Sequence, residues 1–314
     1  MKKAAIDVPV LLIFFTRTEK TVKVFEQIKL ARPSKLYLYQ DGPRPNREAD
    51  VYSIKECRQA IESMIDWDCD IHRWYREDNV GCDPSEYLAQ KWMFSTEVKG
   101  IILEDDDVPS QSFFPFCKEL LDKYENDNRI NIISGQNLLG VAEECPYDYF
   151  FSTKGPIWGW ATWKRTIDEW DPKYEFLSDE YTLKMLIDNG DLTPALLAAI
   201  KKHIKSGREH YETILSSHRL VQSKLNIIPK YNLISNIGIG EETTHTVSSL
   251  NQMPKKIRKI YYQKTYDLEF PLKHPKYVIN NIRLTNKLTD CLKFGIIEKL
   301  EYRWIKFKSR YKKI

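Results

Sequence analysis

The segment Gly100-Ile101-Ile102-Leu103 runs directly into Glu104-Asp105-Asp106-Asp107. A short apolar run of this kind reads as a buried strand, and four adjacent carboxylates cannot follow it into a core. The strand must therefore end at an edge where the acidic run meets solvent, a cleft or a counter-charge. That requirement constrains the fold more than any other feature of the chain.

The flanking pattern supplies the rest of a sheet. Val10 to Phe15 is an apolar run of strand length, and Glu19 to Ala31 places Val22, Phe25 and Ile28 on one helical stripe, stopped by Pro33. Lys35 to Gln40 reads as a second strand closed by the turn signal Asp41-Gly42-Pro43. Asn46 to Ile65 is helical in pattern, Asp70 to Tyr75 is strand-like, and Pro84 opens a helix running to about Val98. Phe113 to Tyr124 predicts a further helix and Asn131 to Gly135 a further strand. Alternation of this kind predicts an α/β fold, a mostly parallel Rossmann-like sheet flanked by helices. Ligands of such sheets bind at the carboxyl ends of the strands, which is where the acidic run falls.

From Tyr147 to Arg165 the sequence is aromatic and irregular. Helices are then expected over Leu183 to Ile187, Pro194 to Ile204 and Glu209 to Val221, with short strands at Ile227-Ile228-Pro229 and Asn232 to Ile234. A soft boundary at 250 divides the expected catalytic domain, 1–250, from a basic C-terminal helical extension, 251–314. The extension carries 17 Lys/Arg against 5 Asp/Glu, whereas the first 250 residues carry 31 against 39. A basic tail on an acidic body suggests an anionic partner for the tail.

Six cysteines form no CxxC pair and complete no zinc pattern, so free thiols in a reducing compartment are expected. The N-terminal apolar run lacks a small-residue cleavage site and reads as a strand rather than a signal peptide. No stretch approaches the roughly 18 apolar residues of a membrane span. The expected location is cytoplasmic, peripheral at the inner face of the membrane if the tail binds there.

The acidic run carries the chemistry. Crowded carboxylates in a cleft raise one another's pKa or destabilise the fold unless a cation neutralises them. Mg²⁺ and Mn²⁺ favour oxygen ligands from one or two carboxylates together with substrate phosphates. The run alone does not choose among glycosyltransferase, nucleotidyltransferase and phosphatase, and a solvated acidic turn is the plainer alternative.

Several segments together carry a resemblance. A first strand ending Phe15-Thr16-Arg17, a second ending Gln40-Asp41-Gly42-Pro43, the loop Asn79-Val80-Gly81-Cys82 and the strand ending LEDDD occur in that order. GWATWKR (159–165), NIIPKYNLISNIGIG (226–240) and TTHT (243–246) follow. The chain resembles GT-A fold glycosyltransferases, and more narrowly the bacterial family-2-like, hemolytic-protein-like group related to N-acetylglucosaminyltransferase I. The resemblance covers residues 8–246.

It implies a metal-dependent enzyme moving a sugar from a nucleoside-diphosphate donor, UDP-linked, to a hydroxyl on a bacterial surface glycan or lipid-linked precursor, with inversion. Asp106 is then the metal ligand for Mn²⁺ or Mg²⁺, with His245 as a second candidate. Thr16, Arg17, Asp41, Asn79, Glu104 and Asp105 fall at nucleotide-sugar positions, although Asp41 reads equally as a plain turn residue. Trp158, Gly159 and Trp160 match the wall of the sugar or acceptor pocket, with core packing as the alternative for both tryptophans. Where the bacterial group carries Trp-Asp, this chain has Tyr211-Glu212, and Glu212 is the candidate base; Glu209, Asp179 and Glu180 are alternatives. The rival readings are a sugar-1-phosphate nucleotidyltransferase and a non-catalytic glycan-binding protein. Against the former, Thr16-Arg17-Thr18-Glu19 holds no glycine where a triphosphate-gripping loop is expected. An anionic membrane surface is the candidate partner of the tail, and no nucleic acid is expected.

Overall fold

A computed structural model describes residues 1–239, 252–293 and 295–311, with the side chains of Ile297 and of 306–311 left aside. Its centre is an eight-stranded sheet. Four strands form a parallel half: β1 (Val10–Phe14), β2 (Lys35–Gln40), β3 (Asp70–Tyr75) and β4 (Lys99–Glu104). The other half holds β6 (Ile130–Ser134), β7 (Tyr149–Ser152), β8 (Trp160–Trp163) and β9 (Leu225–Pro229). The order across the sheet is β3-β2-β1-β4-β8-β6-β9-β7. Strand β8 runs antiparallel between β4 and β6, β7 is antiparallel to β9 at the edge, and the other six run one way. The expected α/β architecture with a mostly parallel sheet is what the chain forms.

Both faces are covered, which is why β1 is apolar at every position. Val10, Leu12 and Phe14 face a cluster that includes Val24, Phe25 and Ile28 of α1 (Thr18–Ala31), Cys57 and Ile61 of α2 (Glu48–Ser63) and Phe113 to Leu121 of α4 (Phe113–Lys123). Leu11 and Ile13 face the opposite cluster. That face is built by α3 (Cys82–Thr96), α5 (Lys164–Asp168), α6 (Glu180–Asp188), α7 (Pro194–Ser206) and α8 (Tyr211–Val221). A strand buried on two faces reads as a continuous apolar run rather than an alternating one.

The acidic run leaves the sheet through a second, small ladder. There β5 (Asp107–Pro109) pairs antiparallel with β10 (Ile234–Asn236), setting Asn236 opposite Asp107. Tyr147 to Trp163, read as irregular, supplies two strands of the main sheet instead. Every residue of β7 and β8 is buried, so neither shows the alternation that marks a strand in sequence.

The chain beyond 252 makes backbone contacts with this body. Tyr262 N–H donates to the Asn236 carbonyl, Tyr266 N–H to Asn232, and Asn281 N–H to Phe151. Short α9 (Lys255–Arg258) precedes α10 (Ile282–Leu292), which buries Leu284, Thr285 and Leu288. Helix α11 (Ile296–Tyr311) follows, and Glu301 accepts from the Lys255 N–H. No helix among the described residues is long and apolar enough to cross a membrane.

Candidate functional site

The carboxyl ends of β1, β2 and β4 lie along one edge, because the three strands are parallel and in register: Ile13 is opposite Glu104 and Phe14 opposite Gln40. The residues just past those ends therefore meet. Arg17, at the start of α1, pairs with Asp105 and places a guanidinium nitrogen 2.9 Å from Asp106 Oδ2. Burial would lower the Arg17 pKa, but Asp105 and Asp106 outweigh it and raise the value above its ordinary range. Lys20, one turn further on, donates to the Gly238 carbonyl at 2.8 Å and adds a second positive charge near Asp106.

Asp106 is held by its surroundings rather than left mobile. Asn236 Nδ2 donates to Asp106 Oδ1 and to Asp107 Oδ1, each at 3.0 Å. The Asn236 Oδ1 accepts from the Gly238 N–H at 2.9 Å, and the Ile237 N–H donates to the Asp106 carbonyl at 2.8 Å. A Cβ at Gly238 would overlap Asp106 Oδ2, so only glycine allows this approach. Asp107 is fully buried and accepts from the Gly159 N–H at 2.8 Å. Gly159 itself has φ +58°, and a Cβ there would overlap Ile234. Asp107 is thus an internal anchor, and the Asn-Ile-Gly segment is the clamp.

Behind the run stands a second group of acids. Tyr211 O–H donates to Glu104 Oε1 at 3.1 Å. Glu86, in the first turn of α3, is buried, and its Oε2 has no hydrogen-bond partner among the described residues. Burial, then Glu104 and Glu212, push its pKa well up. Burial likewise pushes Glu104 up to about 8, with Asp106, Glu212 and Asp105 adding to it. Asp106 is raised by burial and by Asp105, against the pull of Arg17. Glu212, exposed in the first turn of α8, is therefore near enough to bear electrostatically on Glu86, Glu104 and Tyr211.

Six carboxyl groups, Glu86, Glu104, Asp105, Asp106, Asp107 and Glu212, face two cations, Arg17 and Lys20. Among the described residues no three metal-ligating side chains form a ready cage. Arg17 supplies the positive charge beside Asp105 and Asp106.

The remaining expected residues fall as follows. Asp41 accepts from Asn79 Nδ2 at 2.8 Å, from the Gly81 and Gly42 N–H groups at 3.0 Å, and from the Val80 N–H at 3.2 Å. Its role in the structure is to organise the 79–81 loop beside the site. Asn79 also donates to the Gly42 carbonyl. Thr16 sits half-buried in the turn between β1 and α1. Trp160 is 1% exposed within β8, which corrects the expectation that its ring lines a sugar pocket: it packs in the core. Trp158 is half-buried and lies 4.9 Å, centroid to centroid, from the Tyr261 ring. Burial and then the Asp106 charge raise the Tyr261 pKa, so this aromatic pair stands beside the acidic run. His245 lies outside the described residues.

Lys20, Glu86, Asn236, Gly238 and Tyr261 were not singled out from sequence. Asp83-Pro84-Ser85-Glu86 has the form of a helix-start signal, which hides Glu86 as an ordinary first-turn acid. Asn236 and Gly238 lay within a quoted motif without a role. Tyr261 lay past the presumed boundary.

No protein-family model and no curated protein sequence matches the chain. Among solved structures it is similar to UDP-glucose pyrophosphorylase complexed with UDP-glucose, at 9% identity and a TM-score of 0.34, over 72% of this chain and 91% of that one. It is also similar to apo UDP-glucose pyrophosphorylase, at 10% identity and a TM-score of 0.36, over 74% and 93%. A likeness of that size decides nothing about this chain's chemistry.

Proposed function

We propose that the chain is a transferase acting on nucleotide sugars, and that it moves the sugar from a nucleoside diphosphate, UDP-linked, to an acceptor hydroxyl. The observation that carries this reading is the clamped Asp106 carboxylate at the end of β4, with Arg17 and Lys20 on one side and Glu212 near on the other.

Asp106 would hold Mn²⁺ or Mg²⁺, with Asp105 as a neighbouring oxygen donor; when bound, the metal neutralises charge on the diphosphate. Arg17 and Lys20 then face the phosphates as the donor enters. Asp41, Asn79 and the loop they order would flank the base and ribose. Trp158 and Tyr261 offer an aromatic wall suited to a sugar face. Glu212 accepts the proton of the acceptor hydroxyl as its oxygen bonds to the anomeric carbon. The bond from that carbon to the phosphate oxygen breaks, and its electron pair leaves with the diphosphate. Such a displacement inverts the anomeric centre. The acceptor we assign is a glycan or lipid-linked glycan of the bacterial surface.

The second reading, a sugar-1-phosphate nucleotidyltransferase, uses the same edge of the sheet. It is the class whose name the two similar solved structures bear, and their similarity weighs neither way. One experiment separates the readings. UDP-sugars are incubated with the chain and Mn²⁺, with and without pyrophosphate. Release of UDP without pyrophosphate supports glycosyl transfer. Formation of UTP and sugar-1-phosphate only when pyrophosphate is added replaces it with nucleotidyl transfer. No turnover of any nucleotide sugar would leave the glycan-binding reading in its place.

A further inference from the structure

Residues 272–281 form a strap tied down at both ends. At one end the Leu272 N–H donates to Glu119 at 2.9 Å, and the Asp148 N–H donates to the Lys273 carbonyl at 3.1 Å. His274 adds two ring contacts of 3.0 Å, from Nε2 to Glu119 and from Nδ1 to the Tyr149 hydroxyl. At the other end the Asn281 N–H donates to the Phe151 carbonyl at 2.8 Å, and the Asn281 side chain caps α10. A segment held in this way presents its middle without a large ordering cost. What it presents is apolar: Tyr277 is 64% exposed, Ile279 67%, and Ile282, the first residue of α10, 66%. One exposed apolar side chain is ordinary, but three within six positions make a patch that marks an interaction surface.

Between the strap and the end of α4 lies an open cavity of about 450 Å³. Its walls bring together cations from three separate stretches of chain: Lys123 at the end of α4, Arg129 just before β6, and Lys276 in the strap. All three are exposed. The one acid in the wall, Asp127, is already engaged by the Arg129 side chain at 2.9 and 2.7 Å. Lys123 and Lys276 stand by aromatic rings, 5.8 Å from the Tyr124 centroid and 5.3 Å from the Tyr277 centroid, and among the described residues neither forms an ion pair. The cavity therefore carries three positive charges against one negative, and the apolar patch of the strap rises at its rim.

We propose that the 275–282 strap, together with Lys123 and Arg129, is a docking surface for an anionic phospholipid bilayer. Tyr277, Ile279 and Ile282 enter the boundary between headgroups and acyl chains, while Lys123, Lys276 and Arg129 meet the lipid phosphates. Charge selects this occupant. In a twofold contact with a second copy of this chain, the same cations would face one another across the interface. An anionic bilayer offers negative charge to the cations and hydrocarbon to the apolar patch at once. The surface is distinct from α11, and the cavity recruits Lys123 from a distant part of the chain. Strand β6 runs with β1, β2 and β4, so its start, beside Arg129, lies at the edge of the sheet opposite the acidic run. Docking there leaves the nucleotide cleft uncovered.

The test measures partition of the full chain onto vesicles at low salt, in EDTA so that no divalent cation bridges the acidic cleft to lipid. Wild type should bind vesicles of phosphatidylglycerol mixed with phosphatidylcholine and ignore phosphatidylcholine alone. Lys123→Gln should weaken partition about fivefold, the loss of one cation near the surface. The double variant Tyr277→Ser, Ile279→Ser should weaken it tenfold or more. Lys118→Gln, on the same helix but paired with Asp122 and outside the cavity, should bind as wild type does. Leu300→Ser reports α11 separately. A wild type that binds no anionic vesicle, a Lys123→Gln chain that binds like wild type, or a loss confined to Leu300→Ser would each overturn the strap. So would displacement by inorganic phosphate beyond that by sodium chloride of equal ionic strength, which would make the cavity a site for the free ion. Sedimentation without vesicles completes the test: self-association that the strap variants abolish, with vesicle binding unchanged, would replace the bilayer with a second copy. Should the double variant not fold, Lys123→Gln decides.

Discussion

The Arg17 guanidinium lies 2.9 Å from the Asp106 carboxylate and also pairs with Asp105, so one cation from α1 neutralises two adjacent acids at the end of β4. Removing one partner of a buried pair costs about 3–5 kcal/mol, because the other charge is stranded. Arg17→Met should therefore destabilise the metal-free chain by an amount near the lower end of that range, and Mn²⁺ with UDP should recover much of the loss. Asp106→Ala leaves Arg17 its Asp105 partner, so the fold should persist while turnover and metal-dependent nucleotide binding vanish. Chemical denaturation with and without Mn²⁺ reads both. An Asp106→Ala enzyme with near-normal activity would end the metal assignment.

Stability should fall with rising pH in the absence of a divalent cation. Glu104 is raised by burial and neighbouring acids from 4.5 to about 8, and Glu86 and Asp106 are raised as well. A raised acid holds its proton more tightly in the folded chain than in the unfolded one. Between about 4.5 and about 8 the folded state therefore carries more protons, and stability drops as pH climbs through that window. Melting curves across it should slope downward, and Glu104→Gln should flatten them. A flat wild-type profile would show that these acids are already compensated.

Gly238→Ala tests the clamp. The new methyl group would meet Asp106 Oδ2 and push the carboxylate away from its place beside Asn236. Overpacking of this kind costs about 1–3 kcal/mol. The chain should fold with a modestly lower melting temperature yet bind Mn²⁺ and UDP far more weakly. Unchanged binding would mean that the Asn-Ile-Gly segment does not set the geometry of the site.

Much of this arrangement was legible in the sequence and part of it was not. The strand ending in LEDDD and the helices around it follow from apolar periodicity, whereas the pairing of Arg17 with Asp105 and Asp106 was not read from the sequence, where Arg17 was set against the nucleotide. Strands β7 and β8 were hidden because Tyr149 to Ser152 and Trp160 to Trp163 are buried on both sides and show no alternation. Asp41 reads equally as ligand and turn residue because a carboxylate after a strand is ambiguous until its partners are seen; among those partners are the N–H groups of Val80 and Gly81. Tyr261 was out of reach because no local signal links it to Asp106, and the basic composition around it suggested a separate tail.

Glu212→Gln keeps the side chain's shape and removes its basicity. Loss of a general base typically lowers the rate about 10²–10⁴-fold, and kcat should fall by that order with donor binding little changed. Proton NMR of the new linkage should show an anomeric configuration opposite to the donor's. Retention, or full kcat in the variant, would move attention to Glu209 or Asp179.

The C-terminal helix carries the remaining expectation. Ile296, Leu300 and Trp304 of α11 are exposed, with Lys299 and Arg303 among them. An amphipathic basic helix binds anionic membranes through apolar insertion and charge. The chain should float with phosphatidylglycerol vesicles at low salt and be released at high salt. Failure to float at low salt would remove the membrane as the tail's partner.

Tyr262 bonds through its hydroxyl to the Ile237 and Ile239 carbonyls and through its backbone to Asn236, and Tyr261 lies against Trp158 beside Asp106. The first contributor to the site, Arg17, and the last, Tyr262, are thus separated by most of the chain. During translation Arg17 leaves the ribosome first and waits for its distant neighbours. At about 5–20 residues per second, that interval is on the order of tens of seconds. Throughout it the nascent protein holds its carboxylates without the strap that finishes their enclosure.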